Sequence, residues 1–225
     1  MSDIVFPKVT LKLATSMDGR IATRSGHSQW ITGAESRTRV HELRAQHDVV
    51  LVGSGTALAD DPMLTVRLDP EPTKQPIRMV VDSSLRTPMT HKLVTTAREY
   101  RTILVSGLHM EEEDEIPFVA EGVEVWSLAI APAGGVSIRA LLARCAEEGI
   151  ESIFLEGGGK LAASFLKANM VDHIEWFRAP IVIGGDGIAC LASLEIESLN
   201  EVSAWERIRL EVLGEDVWES FSKKL

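Results

Sequence analysis

Apolar and polar residues alternate with a period of two near the start of the chain, in VTLKLATS (residues 9–16). Val9, Leu11 and Leu13 fall on one face, and Lys12 falls in the middle of the other. A period of two predicts a strand with one buried face. A lysine in the middle of a strand is unusual unless it reaches a ligand or a carboxylate, so Lys12 is the first candidate site residue.

Continuous apolar runs predict further strands. The run DVVLVG (48–53) is rich in β-branched residues, as is typical of a strand that is covered on both faces. The tail ERIRLEVLGEDVWESFSKK (206–224) has two alternating runs around a Leu-Gly-Glu-Asp turn and predicts a hairpin. Other strands are predicted at residues 77–84, 101–107, 123–128, 152–156 and 172–180.

Helix signals separate these strands. Thr32 and Glu35 have the spacing of a capping box, which predicts a helix that runs to about His47. Ser137 as N-cap and Gly149 beyond the last turn mark the ends of an amphipathic helix. Shorter helices are predicted within residues 56–60, 91–100 and 160–169, whereas the charge run 111–115 (EEEDE) and the glycine-broken segment 181–194 are predicted to be loops.

Strands and helices therefore alternate from end to end, and this order predicts the fold class. It indicates a mixed, mostly parallel central sheet with helices on both faces. The C-terminal β-hairpin adds antiparallel edge strands. No internal repeat, linker or change of composition divides the sequence, so we expect a single α/β domain over residues 1–225.

The formal net charge of −10 narrows the range of partners. It argues against a nucleic-acid backbone or an anionic membrane as the main partner. It leaves open a small anionic ligand, which needs only a local cluster of arginine and lysine. Hydrophobic residues make up 45% of the chain, yet no run of about 18 apolar residues predicts a transmembrane helix.

Cysteine and histidine usage gives no sign of a metal centre or of disulfides. Cys145 and Cys190 each stand among apolar residues, which predicts two buried thiols. The six histidines show no metal-ligand spacing, so no metal is expected. The N-terminus lacks the pattern of a signal peptide, and we expect a cytoplasmic protein.

Two strands end in glycine-rich turns that lead into predicted helices, VVLVGSGT (49–56) and SIFLEGGG (152–159). Ligands of open α/β sheets collect at the carboxyl ends of strands, and glycine lets a phosphate approach the amides at a helix start. Neither turn matches a dinucleotide fingerprint or a P-loop. Either glycine-rich stretch alone is explained by a tight turn between a strand and a helix. Two such turns in one sheet favour a dinucleotide or a phosphorylated ligand. Glu156, at the end of its strand, is a candidate contact for a polar substrate.

Charged residues on the helices leave alternatives open. Arg37, His41 and Arg44 share one helix face, which is either a solvated cationic face or an anion site. Asp60 and Asp61 precede a proline, where adjacent carboxylates usually cap a helix or form a bend. One of them is a candidate proton donor if it is buried. Trp30 is either a core residue or a stacking platform.

The quoted stretches occur in an order that resembles a known family. They are KLATSMDGRIA (12–22), SQWITG (28–33), HELRAQHDVVLVGSGTALADDPMLTVR (41–67), VVDSSLR (80–86), LEGGGKLAASFL (155–166) and AP-x-x-x-GGDG (179–187). Together they resemble the reductase domain of riboflavin biosynthesis, whose fold is similar to that of dihydrofolate reductase. In many bacteria this domain is the C-terminal half of a bifunctional deaminase–reductase.

The resemblance implies a homodimeric, NADPH-dependent reductase of a ribosylamino-pyrimidine 5′-phosphate, in which C1′ of the ring-opened imine accepts a hydride. It implies catalytic roles for Lys12, Asp60 and Glu156. The implied substrate contacts are Ser28, Arg44, Leu64, Arg67 and Glu156. The implied NADPH contacts are Ala14, Trp30, Gly53, Gly55, Thr56, Asp60, Ser83 (or its neighbour Ser84), Gly157, Gly158, Gly159, Lys160, Leu161, Ala162 and Ser164.

The sequence departs from the bifunctional pattern because it lacks the zinc-binding signature of a deaminase. We therefore expect the chain to work beside a separate deaminase, to accept the pyrimidine before deamination, or to act on a different substrate. One rival function is reduction of a pterin or another heterocycle, against which the phosphate-binding candidates Arg44 and Arg67 argue. A second rival is a non-catalytic nucleotide-binding module, against which Lys12, Asp60 and Glu156 argue.

Overall fold

The computed structural model describes residues 5–70, 72–132 and 134–224. The α-helices are Ala34–Ala45 (α1), Ser54–Asp60 (α2), Lys92–Thr95 (α3), Glu112–Ala120 (α4), Ile138–Glu147 (α5) and Gly159–Lys167 (α6). The strands are Lys8–Ser16 (β1), Arg20–Ala22 (β2), Val49–Gly53 (β3), Ile77–Val81 (β4), Thr102–Gly107 (β5), Glu124–Leu128 (β6), Ser152–Gly157 (β7), His173–Ala179 (β8), Ile188–Ala189 (β9), Trp205–Leu213 (β10) and Asp216–Lys223 (β11).

Among the described residues, nine of these strands form one mixed, mostly parallel sheet in the order β10-β11-β8-β1-β7-β3-β4-β5-β6. β1 pairs with β8 in parallel, and β3 to β6 pair in parallel with one another. The C-terminal hairpin β10–β11 adds two antiparallel strands beside β8. The predicted fold class and the predicted hairpin are confirmed.

The chain divides into two compact units. Unit one contains the residues up to Lys8 together with Leu43–Phe154, and unit two contains Val9–Glu42 together with the residues from Leu155 onward. The expectation of a single domain over the whole chain stays a prediction.

Unit one has an apolar core that continues from its parallel strands into α2, α3 and α4. Val52, Leu64, Leu104 and Phe118 belong to this core, and each is at most 5% exposed. The apolar runs at 48–53, 77–84 and 101–107 are therefore buried, as their composition predicts. No helix in the described part of the chain is both long and apolar enough to cross a bilayer.

Arg78 is a charged residue inside the buried strand β4, and its guanidinium is fully satisfied by unit one. It donates to Thr96 Oγ1 at 2.8 Å, to the Tyr100 carbonyl at 3.0 Å and to Thr102 Oγ1 at 3.0 Å. Burial lowers the pKa of Arg78 to about 10. The guanidinium thus ties the strand to the segment around α3 without leaving unpaired donors.

The structure corrects three sequence-based expectations on local structure. The acidic run 111–115 is the start of α4 and not a loop, because Glu111 and Asp114 form a reciprocal capping box. Acidic side chains also suit the positive end of a helix. The segment 181–194 contains β9, which pairs with β2 in a small antiparallel sheet.

The third correction concerns the start of α1. The first helical hydrogen bond runs from the Arg37 amide to the Gly33 carbonyl, so the N-cap is Gly33 and not Thr32. The carboxylate of Asp216, at the start of β11, accepts from the Gly33 amide at 2.7 Å and from Ser36 Oγ at 2.6 Å. A residue distant in sequence therefore caps this helix.

The two thiols differ. Cys145 is fully buried on α5, and burial raises the pKa of its thiol to about 12. Cys190 is only half-buried, and burial raises its pKa as well. The prediction of two buried thiols is confirmed for Cys145 and is wrong for Cys190.

Candidate active site

In unit one, the glycine turn after β3 leads directly into α2. Gly53 is the N-cap residue with φ −88° and ψ 160°, an extended conformation that any residue adopts. A Cβ placed on Gly55 would find no described heavy atom within 4 Å. Gly55 is exposed and Thr56 is half-buried. Neither backbone strain nor internal packing requires glycine at residue 55, which leaves open space at the start of α2.

A second turn in unit one, after β4, brings an arginine to this place. The buried carboxylate of Asp82 accepts from the Thr87 amide at 2.7 Å and from Thr87 Oγ1 at 2.8 Å, which closes the turn. Arg86 then donates from Nη2 to Ser54 Oγ at 2.7 Å. The Arg86 guanidinium is exposed beside the open space at Gly55, so this turn supplies a cation that sequence reasoning missed.

Ser83 lies in the same turn and is half-buried, and its carbonyl accepts from the Gly107 amide at 3.1 Å. Asp82 Oδ1 is buried without a hydrogen-bond partner in the described part of the chain, and Arg86 Nε lies 3.9 Å away. The VVDSSLR stretch thus folds so that Asp82 holds the turn while Arg86 stands at its surface.

The two adjacent aspartates have different environments. Asp61 follows α2 with φ 39°, and its carboxylate accepts from the Lys92 amide at 2.8 Å. Its Oδ2 also lies 3.6 Å from Lys92 Nζ. Asp61 is therefore structural, as the adjacent-carboxylate pattern indicates. Asp60 is the exposed last residue of α2, and its proposed catalytic contact stays a prediction.

The predicted phosphate-binding arginines both lie in unit one. Arg44 Nη1 donates to the Thr65 carbonyl at 2.8 Å, two residues before the exposed Arg67. Leu64 is 3% exposed, has φ 54° and packs in the core. Its predicted substrate contact is therefore restricted to backbone atoms. The segment that follows α2 keeps its apolar side chain inside and its arginine outside.

In unit two, β7 ends in the triglycine turn, by which we mean Gly157–Gly159. Gly158 is the N-cap of α6 with φ 87° and ψ 107°, a conformation that side chains rarely adopt. A Cβ on Gly159 would lie 3.0 Å from the Cys190 carbonyl oxygen and 3.2 Å from that of Ala189. Two of the three glycines are thus required by the protein's own backbone.

The side chains of α6 separate into an inner and an outer set. The side chains of Leu161 and Ala162 are 9% and 1% exposed, so neither side chain is available to a ligand. The Ala162 amide already donates to the Gly158 carbonyl at 3.0 Å, which leaves the amides before it as candidates. Lys160 and Ser164 are exposed on the outer face, and Ser164 Oγ donates to the Lys160 carbonyl at 3.0 Å. Glu156, the last side chain before the triglycine turn, is half-buried.

Lys12 lies beside a carboxylate that sequence reasoning missed. In the parallel pairing of β1 with β8 it is in register with Glu175. Glu175 Oε2 accepts from Trp218 Nε1 at 2.6 Å and from Ser220 Oγ at 2.5 Å, which holds the carboxylate in place. Ala14 lies two residues further along the same face. The alternation in DHIEWFRAP places Glu175 on this face, which is the signal that would have found it.

A cavity of about 420 Å³ lies at the carboxyl end of β8 in unit two. Its lining is formed by residues 30–35, 37, 179–181 and 213–216. Trp30 is 70% exposed at this cavity, with the Arg37 guanidinium 4.7 Å from the ring centroid. Trp30 is therefore a stacking surface and not a core residue, and Arg37 is its partner. Ser28 is half-buried two residues before it.

The chain is similar to known proteins over nearly its whole length. Residues 7–218 match the model of a family described as RibD C-terminal domain. The riboflavin biosynthesis protein RibD of Actinobacillus pleuropneumoniae is 37% identical over 214 residues, which cover 94% of this chain and 55% of that protein. The chain therefore spans about half the length of this relative.

A second relative matches over its full length. The 2,5-diamino-6-ribosylamino-4(3H)-pyrimidinone 5′-phosphate reductase of Methanothermobacter thermautotrophicus is 38% identical over 220 residues, covering 97% of this chain and 99% of that protein. Among solved structures, a Thermotoga maritima deaminase and 5-amino-6-(5-phosphoribosylamino)uracil reductase has a TM-score of 0.80 at 27% identity. That match covers 97% of this chain and 57% of the other.

Proposed function

Because the chain belongs to the RibD C-terminal domain family, we propose that it is an NADPH-dependent reductase of riboflavin biosynthesis. Its substrate is 5-amino-6-(5-phosphoribosylamino)uracil, and its product carries a ribityl chain. The observation that supports this function best is the triglycine turn. Its N-cap residue, Gly158, has no side chain that could cap the first amides of α6, and uncapped amides at a helix start bind the diphosphate of a dinucleotide.

Each unit, taken by itself, has a place that suits an anionic group of a nicotinamide dinucleotide. The open space at Gly55 and the start of α6 each accept an anionic group close to the backbone. When bound, NADPH supplies the hydride that reaches C1′ of the ring-opened imine, whose nitrogen gains a proton. Lys12 binds the ribosyl hydroxyls or phosphate, Glu156 contacts the substrate, and Asp60 contacts NADPH.

The preference for NADPH over NADH rests on Arg86. The extra phosphate of NADPH is a dianion, and a guanidinium is the side chain best suited to bind it through two hydrogen bonds. Arg86 brings an exposed guanidinium to Ser54, at the start of α2. Asp82 holds this turn, so the arginine is positioned before the cofactor arrives. We assign Arg86 as the residue that distinguishes the two cofactors.

The substrate phosphate is assigned to Arg44 and Arg67. The hydrogen bond from Arg44 to the Thr65 carbonyl fixes this guanidinium near the chain that carries Arg67. Arg67→Ala should raise KM for the phosphorylated pyrimidine with little change in kcat. An unchanged KM with a reduced kcat would remove Arg67 from the phosphate site.

The decisive experiment measures NADPH oxidation with the aminated and the deaminated pyrimidine phosphates side by side. Faster turnover of the deaminated compound supports the substrate proposed above. Turnover of neither compound by a folded protein that binds NADPH would overturn riboflavin reduction and favour another heterocycle. Absence of NADPH binding would overturn the reductase function as a whole.

A second candidate substrate is the 2,5-diamino pyrimidine phosphate. The full-length match to the Methanothermobacter reductase favours it, since that protein is named for the diamino compound. The same assay separates the candidates, because the ratio of kcat/KM values for the two compounds states the preference directly.

We also propose that the chain acts as a homodimer. In the described part of the hairpin, β10 presents Ile208, Leu210 and Val212 at 59%, 56% and 65% exposure along one side of an edge strand. Edge strands with exposed apolar side chains favour pairing with another chain. Sedimentation of Leu210→Glu beside Leu199→Glu, which alters a residue that is 91% exposed elsewhere in unit two, tests this surface. If the Leu210→Glu variant still sediments as a dimer, the exposed side of β10 is not the dimer interface.

A further inference from the structure

The carboxylate of Asp18 joins the end of β1 to the segment that follows β8 in unit two. Its Oδ1 accepts from Ser16 Oγ at 2.6 Å and from the Ile183 amide at 3.1 Å, and its Oδ2 accepts from the Gly184 amide at 2.8 Å. The Met17 amide donates to the Ile181 carbonyl at 2.8 Å beside it. Hydrogen bonds therefore join the stretch SMDG (16–19) to the segment that leads into GGDG (184–187). The proposed reaction gives neither stretch a role.

The segment continues along residues 19–22. Gly187 lies so close to this stretch that a Cβ would be 3.0 Å from the Ala22 carbonyl oxygen. Ile188–Ala189 then pairs with Arg20–Ala22, and the Cys190 amide donates to the Gly19 carbonyl at 3.1 Å. The course of residues 183–190 is therefore fixed on the turn that Asp18 begins.

This segment ends against the triglycine turn. The Ala192 amide donates to the Gly159 carbonyl at 3.0 Å. The carbonyl oxygens of Ala189 and Cys190 lie where a side chain on Gly159 would stand, at 3.2 and 3.0 Å. Residues 189–192 thus support the first residue of α6 from behind, so a shift in this segment changes the place of the α6 amides.

We propose that Asp18 is a positioning residue for the cofactor: it fixes residues 183–192, and through them the triglycine turn that binds the diphosphate. This inference rests on the proposed function. Asp18 itself contacts no ligand. A carboxylate suits the role because it accepts from several amides at once, and hydrogen bonds to an ionised acceptor are stronger than neutral ones. The same contacts lower the pKa of Asp18 to about 2.

Asp18→Asn tests the proposal, because the amide group keeps the size of the side chain but turns an NH₂ toward an amide that needs an acceptor. Asp172→Asn is the matched control. Asp172 also accepts from a backbone amide of β1, that of Val9 at 2.9 Å, but at the other end of the strand. The readouts are the Kd for NADPH by fluorescence titration, KM for the pyrimidine phosphate, and amide hydrogen exchange.

Asp18→Asn should raise the Kd for NADPH by about tenfold or more, since small displacements at a binding site have effects of that order. KM for the pyrimidine should change by less than about twofold, in keeping with a cofactor-specific role. Exchange of the amides in residues 187–192 and 158–161 should accelerate, whereas Asp172→Asn should leave this exchange and the Kd near their original values. Folded Asp18→Asn with unchanged NADPH affinity, or equal loss of affinity in both variants, would overturn the proposal.

Two further arms keep the test decisive. If Asp18→Asn does not fold, Ser16→Ala removes one donor to the carboxylate and should give a smaller change in the same direction. If the unaltered protein does not bind NADPH, the proposed function has failed. Exchange at residues 158–161 then decides the structural connection alone, and unchanged exchange in Asp18→Asn would overturn that too.

Discussion

The two glycine turns look alike in the sequence but use glycine for different reasons. In unit one, the turn after β3 has an ordinary backbone conformation at Gly53 and open space at Gly55. In unit two, Gly158 has φ 87° and Gly159 packs against two carbonyl oxygens. The turn after β3 leaves open space that a ligand could fill. The triglycine turn needs its glycines for its own backbone conformation and packing. The presence of glycine in a turn therefore does not by itself say whether the backbone, a ligand or both require it.

The largest effect that this comparison predicts is at the triglycine turn. Gly158→Ala forces a side chain into a left-handed conformation, and we expect the free energy of unfolding to fall by roughly 1–3 kcal/mol. Gly159→Ala should lower it by a similar amount, because its Cβ would crowd the Cys190 carbonyl. Denaturant titration of the protein without cofactor measures both. If the free energy of unfolding falls by less than about 0.5 kcal/mol, the triglycine turn adapts to a side chain. The proposed difference between the two glycine turns would then be wrong.

Arg86 beside the other turn should control the choice of cofactor. Arg86→Ala removes the guanidinium at Ser54, so the Kd for NADPH should rise by about tenfold or more while the Kd for NADH changes little. Arg98→Ala is the matched control, since Arg98 is another exposed arginine of unit one and donates to the Ala120 carbonyl. Equal weakening of both cofactors by Arg86→Ala would contradict the assignment.

Gly55→Ala should act in the opposite direction on stability and on binding. Replacing a helical glycine by alanine in open space is expected to stabilise the folded chain by about 0.4–1 kcal/mol. The same methyl group should weaken NADPH binding, because it enters space left for the ligand. A destabilised Gly55→Ala variant would show that this glycine also serves the protein's own backbone.

The smallest effect is a pH dependence in unit two. The hydrogen bonds from Ser16, Ile183 and Gly184 hold the pKa of Asp18 at about 2, below the ordinary value of 3.8. Its contribution to stability is therefore present above pH 3.8 and is lost as the pH falls toward 2. Stability curves of the unaltered chain and Asp18→Asn should converge over this range. If the two stability curves stay parallel between pH 3.8 and pH 2, the hydrogen bonds to Asp18 do not lower its pKa.

The sequence predicted the sheet well because its strands are continuous apolar runs or strict alternations. It failed where a residue distant in sequence decides the local structure. Thr32 has the spacing of a cap, but Asp216 supplies the carboxylate and Gly33 takes the N-cap position. The acidic run 111–115 at the start of α4 failed for another reason, because its charge suggested a solvated loop although Glu111 and Asp114 form a capping box.

The site was predictable in part for similar reasons. Glycines, arginines and aspartates stand out in the sequence, so Gly55, Arg67 and Asp60 were found, although their contacts with ligands stay predictions. Glu175 and Arg86 were missed because their positions depend on a register between strands and on a side-chain contact between turns. Leu64 and Leu161 were included by motif position, yet their side chains lie in the interior.

The capping of α1 by Asp216 also concerns the order in which the chain is made. A ribosome delivers residues from the N-terminus, so α1 emerges long before the carboxylate that its first turn requires. The acceptor lies 183 positions after the Gly33 amide and 180 positions after Ser36. These two hydrogen bonds can therefore form only after β11 has been made, so the contact that completes the start of α1 depends on a much later part of the chain.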